Sequence, residues 1–315
     1  MRFINVRDNK DVFADGIHDD TKALQSCLDE LRDGGTIYFP RGTYLLSGAL
    51  IFYSHQRLRF ADEAVMLRSA KSDPITRYLL ASYSEPDRAG YDGTRDVVIS
   101  GGVFDGNAEL SEMTTLVNTV HCSDITIENC RFVHGARWHY IELNGTENTV
   151  VRGCVFDGTT YTMVPDHLLN EQIQLDLSRT GSYGPIYDCD GKLIDFCSDG
   201  TPCRGIVIEN NLFICDGFPG IGHHGDGVHH DIDIRNNIFD GPSGRWQKSR
   251  GYIIFRPQVE GVRVYNNAFL APEENDEPNI GMISENPDET AMTETDNVFR
   301  GRFTEIIRHG ADSVR

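Results

Sequence analysis

Hydrophobic residues recur along this chain with a short period and a long one. In segments such as 206–208 and 232–234, isoleucine alternates with a less apolar residue, and this period of two predicts a β-strand. The strands belong to a longer unit, Ile-x-Ile-x-Asn-Asn-x-Phe. Its aligned phenylalanines are 28, 24, 57, 26, 30 and 30 residues apart, at Phe104, Phe132, Phe156, Phe213, Phe239, Phe269 and Phe299. The spacing of 57 indicates either one repeat with a long insertion or two repeats of which one has been erased.

Repeats of this length, built from short strands with no helix between them, predict a right-handed parallel β-helix. The turns of such a solenoid stack about 4.8 Å apart. Small or amide residues occupy one column of a repeated tight bend, namely Gly102, Cys130, Cys154, Asn211, Asn237, Asn267 and Asn297. Stacked turns place these residues in a ladder, in which each Asn side chain bonds to its neighbour. The fold class is therefore all-β.

An amphipathic helix is predicted near the N-terminus, where it caps the open end of the solenoid. Its apolar residues lie at helical spacing, at Ala23, Leu24, Cys27, Leu28 and Leu31. We assign residues 1–50 to the cap and first strands, and residues 51–315 to the β-helix, within one domain. The segment 178–203 is a loop insertion long enough to form a groove wall or a lid.

The opening of the chain resembles a known superfamily. Residues 14–50 contain Asp-Asp-Thr, the amphipathic helix and then Gly-Gly-x-Ile-x-Phe-Pro-x-Gly-x-Tyr. This pattern is similar to the first turn of the pectate-lyase and polygalacturonase β-helix superfamily. The resemblance implies a carbohydrate-active protein, but the superfamily includes hydrolases, lyases, epimerases and transferases, so the reaction stays open.

A second set of strands precedes the Asn-Asn repeats, at 139–145, 171–177, 220–226, 251–257 and 280–286. Aligning Ile141, Ile173, Ile221 and Ile253 as the inward column leaves two outward columns. The first contains Glu142, Gln174, Gly222 and Ile254, and the second contains Asn144, Asp176, His224 and Arg256. This second column brings an acid, an imidazole and a guanidinium within about 14 Å of one another. Such a set favours a functional site over an ordinary solvated sheet face.

The resemblance to polygalacturonases implies that Asp176 is a catalytic carboxylate, that His224 orients it and that Arg256 holds the substrate. The expected Asp-Asp doublet is missing, and Pro-Gln follows Arg256 in place of a second basic residue. Hydrolysis of a glycosidic bond needs two carboxyl groups. Glu142, with an α-carbon roughly 8 Å from that of Asp176, and Glu171 are the two candidate partners.

Further substrate contacts are expected from residues that border these strands. Gln174 and Asn144 offer amides, while Tyr140 and Tyr252 offer rings on which sugars stack, as Trp138 and Trp246 also do. His223 is expected to bind substrate, and either His229 or His230 to contact sugar hydroxyls. The segment 223–233 has the ligand types of a metal site, but strand alternation points neighbouring side chains apart, so no metal is predicted.

Composition restricts the partners. The chain has 29 Lys and Arg against 48 Asp and Glu, a net charge of −19, which disfavours nucleic acid and anionic membranes. No apolar run approaches the roughly 20 residues of a membrane span, and no signal peptide precedes the repeats. We expect a cytoplasmic protein, or a secreted one whose leader has been removed. The eight cysteines are expected to be reduced and mostly buried, with Cys189, Cys197 and Cys203 the best candidates for surface thiols or a disulfide.

The leading hypothesis is a glycoside hydrolase that acts on an oligo- or polysaccharide with paired carboxylates and no cofactor. A polysaccharide lyase or a glycan transferase is the second hypothesis, and a lyase would add calcium. The third is a non-enzymatic module that binds glycan or serves as a tailspike shaft. The expected partner is carbohydrate in each case. The chain is expected to be a monomer or a homo-oligomer, a trimer if it is of the tailspike type.

Overall fold

The computed structural model describes residues 2–70, 78–107, 114–135, 138–158, 171–182, 184–216, 219–223, 225–243, 251–256, 258–274 and 279–309. Its strands form three long parallel sheets, A, B and C, which the chain visits in that order on each turn. Sheet A consists of β1 (Phe3–Asn5), β3 (Gly35–Phe39), β6 (Gln56–Phe60), β9 (Arg95–Ser100), β12 (Ser123–Glu128), β15 (Glu147–Arg152), β20 (Arg204–Glu209), β23 (His229–Arg235), β26 (Val259–Tyr265) and β29 (Met292–Thr295).

Sheets B and C complete each turn. Sheet B consists of β2 (Asp15–Asp19), β4 (Gly42–Leu46), β7 (Ala64–Arg68), β10 (Val103–Asp105), β13 (Arg131–Val133), β16 (Val155–Asp157), β21 (Leu212–Ile214), β24 (Ile238–Asp240), β27 (Ala268–Leu270) and β30 (Val298–Arg300). Sheet C consists of β5 (Leu50–Phe52), β8 (Tyr78–Ser82), β11 (Thr115–Val120), β14 (Ile141–Asn144), β17 (Ile173–Asp176), β22 (Ile221–His223), β25 (Gly251–Phe255), β28 (Asn279–Ser284) and β31 (Phe303–His309). The predicted parallel β-helix is confirmed.

The long spacing in the repeat is one turn with an insertion. Phe156 of β16 pairs in register with Phe213 of β21, so no erased turn lies between them. The inserted residues include a small antiparallel pair, β18 (Ile186–Tyr187) and β19 (Leu193–Ile194). The alternative of two turns with one erased is wrong.

Two internal ladders account for the repeated unit. Neighbouring phenylalanine rings of sheet B stack inside the solenoid, with centroids 4.7 Å apart for Phe156 and Phe213. At the bend before sheet B, the Asn211 side chain donates to the Asn237 amide oxygen at 3.0 Å, and Asn237 donates in turn to Asn267. The preceding residue of each pair, such as Asn236 with φ 55°, adopts the left-handed conformation that Asn tolerates. Both asparagines of the repeat therefore have separate structural roles.

The N-terminal end is capped by α1 (Thr21–Glu30), which follows a short 3₁₀ helix, Val6–Asp8. Leu24 and Leu28 are fully buried, as the helical spacing predicts. The Gln25 side chain bonds both backbone groups of Ile51, at 2.7 and 3.0 Å, and so satisfies part of the edge strand β5. The domain division predicted at residue 50 falls at the start of this strand and stays a prediction.

Sheet C differs from the other two sheets in burial. Strands of sheets A and B alternate between buried and partly exposed residues, as β3 and β9 do, so their outer faces are accessible to solvent. Every residue of β8, β11, β14, β17 and β25 is buried. These five strands of sheet C are therefore buried on both faces, whereas β31 at the edge of the sheet is partly exposed.

The cysteines are free thiols. Cys189 and Cys197 are partly exposed, as expected for surface thiols, whereas Cys203 is fully buried. The assignment of Cys203 as a surface thiol is therefore wrong, because its sulfur lies 3.2 Å from the carbonyl oxygen of Leu143 inside the solenoid. Within the described ranges, no helix is both long and apolar enough to cross a bilayer.

Candidate functional site

The first outward column of sheet C, and the first two members of the second, have the register that the sequence predicts. Ile141 pairs with Ile173, which pairs with Ile221, which pairs with Ile253. On the outer face, the same pairings place Glu142 beside Gln174, and Asn144 beside Asp176. One turn earlier, Asn118 lies beside Glu142. We call Asn118, Glu142, Asn144, Glu171, Gln174 and Asp176 the polar band.

Glu142 is the most perturbed acid of the polar band. Its side chain is 2% exposed, and the Asn118 amide nitrogen donates to Oε2 at 3.1 Å. Burial, together with the negative charge of Asp176, raises the pKa of Glu142 from 4.5 to about 8, which outweighs the opposing effect of the Asn118 hydrogen bond. Among the described residues, no cation contributes to the pKa of Glu142. Glu142 is therefore protonated at neutral pH.

Asp176 is held in a different environment. Its Oδ2 accepts a hydrogen bond from the Gln174 amide at 2.9 Å, and its Oδ1 accepts one from the backbone N–H of Leu177 at 2.7 Å. Hydrogen bonds donated to a carboxylate favour its charged form. The polar band thus contains two carboxyl groups in different surroundings, which is the arrangement that separates an acid from a base.

Asn144 is buried without compensation. Its side chain is 0% exposed, yet neither its amide oxygen nor its amide nitrogen has a hydrogen-bond partner among the residues that the structure describes. The amide oxygen of Asn118 is in the same situation. A buried polar group without a partner costs free energy, and such groups are rare in native structures. Within the described part of the chain, both amides therefore have unused hydrogen-bonding capacity.

A glycine on the next turn leaves room for the Glu171 side chain in the polar band. Glu171 precedes β17, and its side chain lies over Gly222, where an added Cβ would approach Glu171 Cγ to 2.4 Å. The Glu171 backbone carbonyl accepts a hydrogen bond from Nδ1 of the buried His139 at 2.6 Å. The sequence indicated Glu171, but His139 and Asn118 were missed. Asn118 was recoverable, since it continues the Glu142 column by one turn.

The remaining member of the second column is Arg256. Its guanidinium lies 3.8 Å from Glu285 Oε2, and its side chain is 39% exposed. His224, predicted between Asp176 and Arg256, lies outside the described residues, as does Trp246. The orienting role of His224 stays a prediction.

Two predicted aromatic contacts lie inside the solenoid. Tyr140 and Tyr252 are both 0% exposed. Tyr140 packs against Phe132 and its hydroxyl donates to the carbonyl of Asp157, while Tyr252 packs against Phe239. The prediction that these rings stack on sugars is wrong, because the chain turns a corner before sheet C and directs both rings inward. Trp138 is partly buried against the core.

The two predicted histidine contacts also lie inside. His223 is 1% exposed and His229 is 0% exposed, and their rings meet at a centroid distance of 4.9 Å. His223 Nδ1 accepts a hydrogen bond from the Arg256 backbone N–H, and His229 Nδ1 accepts one from Cys203. Their predicted contact with substrate is wrong. Since His223 follows the inward Ile221 by two residues, strand alternation places it on the same inner face.

A cluster with metal-ligand chemistry forms elsewhere, from residues that the sequence analysis did not assign to a metal site. The ligand atoms of His121, Cys197 and Asp199 lie within 4.8 Å of one another. Both ring nitrogens of His121 lie 2.7 Å from carbonyl oxygens, those of Gly90 and Cys197. Hydrogen bonding therefore accounts for this cluster.

A polar cavity of about 330 Å³ lies apart from the polar band, near the end of α1. The Arg32 guanidinium lies in it above the rings of Tyr53 and Tyr83, at 4.8 and 4.6 Å from their centroids. Neither carboxyl group of the predicted site lines this cavity.

Comparison with known proteins supports the fold throughout and leaves the reaction open. A family model described as rhamnogalacturonase A/epimerase, pectate lyase-like, matches residues 3–59. The chain is 28% identical over 257 residues to plasmin and fibronectin-binding protein A of Streptococcus pneumoniae, which covers 72% of this chain and 34% of that protein. The chain thus spans about a third of the length of this relative.

Two solved structures extend the comparison. A surface adhesin of Streptococcus pneumoniae superimposes with a TM-score of 0.64 at 19% identity, covering 99% of this chain and 80% of the adhesin. An exopolygalacturonase from Thermotoga maritima superimposes with a TM-score of 0.67 at 14% identity, covering 99% of this chain and 76% of the enzyme. The chain therefore has a right-handed parallel β-helix fold, which it shares with the exopolygalacturonase and with the adhesin, and its match to the pectate lyase-like family model is confined to residues 3–59.

Proposed function

We propose that this protein is a glycoside hydrolase that cleaves a glycosidic bond of an oligo- or polysaccharide bound on the outer face of sheet C. The observation that carries the proposal is Glu142, a fully buried acid whose pKa is raised to about 8, one turn away from Asp176. A carboxylic acid kept protonated beside a second carboxyl group is the pair that glycosidases need. The fold shared with an exopolygalacturonase is consistent with this proposal.

In the proposed reaction, Glu142 is the general acid. It donates its proton to the glycosidic oxygen as the bond from that oxygen to the anomeric carbon breaks. Asp176, held by Gln174 and the Leu177 N–H, takes a proton from the water that forms the new bond to the anomeric carbon. The register corresponds to α-carbons roughly 8 Å apart. If the two carboxyl groups keep a similar separation, a water molecule fits between Asp176 and the anomeric carbon and the reaction inverts.

The other members of the site bind the substrate. Asn144 and the amide oxygen of Asn118 have unused hydrogen-bonding capacity at the polar band, and sugar hydroxyls both donate and accept. Arg256, partly exposed at the edge, anchors a hydroxyl or a carboxylate of the glycan. No step requires a cofactor.

A binding role without catalysis is the second candidate. The pneumococcal relative is named for its binding of plasmin and fibronectin, and it is 28% identical over 72% of this chain. In that case the polar band would bind a glycan or a protein ligand without turnover. Lyase chemistry has less support, because an acid held protonated at neutral pH is not a base that abstracts a proton.

The test is a screen of the wild-type protein against polygalacturonate, rhamnogalacturonan, carrageenan, alginate and xylan. New reducing ends report hydrolysis, and ultraviolet absorbance reports the unsaturated product of a lyase. Asp176→Asn and Glu142→Gln are assayed beside Glu260→Gln, a matched change at an exposed position of β26. We expect hydrolysis that both site variants lose and the control retains.

Other outcomes decide between the alternatives. Hydrolysis that persists in both Asp176→Asn and Glu142→Gln contradicts the assigned roles. Binding of a glycan or of fibronectin, with no substrate cleaved, supports the binding role. An absorbing product supports a lyase, and its loss on chelation would then identify calcium.

A further inference from the structure

The insertion 178–203 has a defined course over the solenoid. We call its described residues, 178–182 and 184–203, the arm. At its far end, Asp190 pairs with Lys22 of the cap helix at 2.7 Å. Its Cys189 lies against Gly48, where an added Cβ would be 3.5 Å from the Cys189 α-carbon. The backbone of Gly184 exchanges hydrogen bonds with the Tyr78 hydroxyl at 3.0 and 3.1 Å. These contacts lie where the chain enters sheet C, before β5 and at the start of β8.

The returning part of the arm contacts residues at the other end of the sheet C strands, where the chain leaves the sheet. The fully buried His121 bridges the carbonyl oxygens of Gly90 and Cys197. Asp199 accepts a hydrogen bond from the Gly90 N–H at 2.8 Å, and the Tyr91 hydroxyl donates to the carbonyl of Pro202. Gly90 and Tyr91 follow the end of β8, and His121 follows the end of β11. The arm therefore contacts residues before the start of these strands and residues after their end, and it crosses their outer face.

The sequence of the covered face is consistent with this course. Leu80 of β8 lies in the inward column, so Leu79 and Ala81 face outward, and both are 0% exposed. Ile186 of the arm is 1% exposed and belongs to the main hydrophobic core. An outward sheet face with apolar residues needs a cover, and the arm supplies one. Further along the solenoid, the outward face changes to the polar band.

The end of the arm and the polar band are close together. His121 follows Val120, which pairs with Asn144, which pairs with Asp176. Two turns, or roughly 10 Å along the solenoid axis, separate His121, which anchors the returning part of the arm, from Asp176. A long polysaccharide laid along sheet C would have to continue through the space that the arm occupies.

We propose that the arm closes the N-terminal end of the sheet C groove, so that the enzyme removes short units from a chain end and does not cut within the chain. The inference rests on the proposed function and specifies its mode of action. The arm is a fixed wall, because it is anchored from the cap helix to β11 by buried and polar contacts.

The experiment follows product size and viscosity together, with the polysaccharide that the wild type cleaves in the screen and with its oligosaccharides labelled at the reducing end. We expect short products from the first time point, while polymer viscosity falls slowly. A rapid fall in viscosity with a broad range of product sizes, lost in Asp176→Asn, overturns the inference and leaves the proposed function standing. No cleavage of any substrate overturns both.

A variant in which residues 184–197 are replaced by a short Gly-Ser linker tests the wall directly. We expect a shift from short products to internal cleavage. Unchanged short products from a folded variant, as judged by circular dichroism, would contradict the role of the arm.

A second variant does not depend on removing buried residues. Gly48→Cys faces Cys189 closely enough to form a disulfide, which locks the arm to the first turn. Because a wall does not need to move, the oxidised and reduced forms are expected to have the same rate within about twofold and the same product sizes. Gly48→Ser is the matched control. Activity that disappears on oxidation and returns on reduction would make the arm an opening lid and overturn the fixed wall.

Discussion

The outer faces of sheets A and C belong to one solenoid with one turn spacing, yet their charged side chains have opposite environments. On sheet A, acids and arginines pair directly across neighbouring turns, with contacts of 2.6 to 2.8 Å. These pairs are Glu128 with Arg152, Glu147 with Arg204, Glu209 with Arg235 and Asp233 with Arg263. On sheet C, Glu142 is buried with its pKa raised to about 8.

The difference separates structural charge from functional charge. An exposed pair on sheet A satisfies both partners at little cost and little gain. A buried acid with no cation beside it and a buried amide with no hydrogen-bond partner among the described residues lower the stability of the fold, and such groups concentrate at functional sites. Since both faces have the same backbone geometry, the backbone alone does not require the polar band.

The largest effect is expected at Glu142. Glu142→Gln should lower hydrolysis by about 10² to 10⁴-fold, because general acid catalysis is lost. The same change should stabilise the protein. Between the ordinary pKa of 4.5 and about 8, the folded state holds a proton that the unfolded state releases, so wild-type stability falls as pH rises.

The pH dependence makes this prediction specific. The advantage of Glu142→Gln in free energy of unfolding should grow by about 3 kcal/mol between pH 5 and pH 7.5. Urea unfolding at several pH values measures it, with Glu209→Gln on sheet A as the control. An advantage that stays constant with pH would show that Glu142 is ionised in the folded protein, and the comparison between the faces would lose its main support.

A smaller effect is expected from the same substitution at two buried asparagines. Asn237 makes four hydrogen bonds within the ladder, to Asn211, Asn267 and the carbonyl of Ile208. Asn237→Leu should therefore destabilise the protein by about 3 kcal/mol, since it leaves buried partners unsatisfied. Asn144→Leu should stabilise it by about 1 kcal/mol, because Asn144 has no partner to lose. Thermal unfolding of both variants measures the contrast, and equal destabilisation would contradict it.

The smallest effect is expected on sheet A. The Arg263 side chain is 63% exposed and pairs with Asp233. Arg263→Ala should change the free energy of unfolding by less than about 1 kcal/mol, and added salt should reduce the change further. A loss of several kcal/mol that persists at high salt would show that the charge pairs of sheet A stabilise the fold substantially, and it would contradict the contrast between the two faces.

Much of the fold was predictable because its periodicities are local. The Asn ladder, the phenylalanine stack and the inward column from Ile141 to Ile253 follow from the repeat, and the structure has them in that register. Glu142 and Asp176 were found for the same reason, since strand alternation places both on the outer face.

The wrong assignments lie where alternation gives no guidance or was not followed. Tyr140 stands at the corner before sheet C, where the direction of a side chain depends on the turn and not on strand parity. His223 does follow strand parity and lies inside with Ile221. The arm has no repeat of its own, and its path depends on contacts with residues distant in sequence, such as Lys22 and His121.

The sequence by itself determined the solenoid, its register and which acids face outward, because each of these depends on a short repeating pattern of side chains. Only the tertiary structure decided which outward face is buried, because burial depends on where the arm and the corners lie in space. That burial raises the pKa of Glu142 and distinguishes the polar band from the paired charges of sheet A.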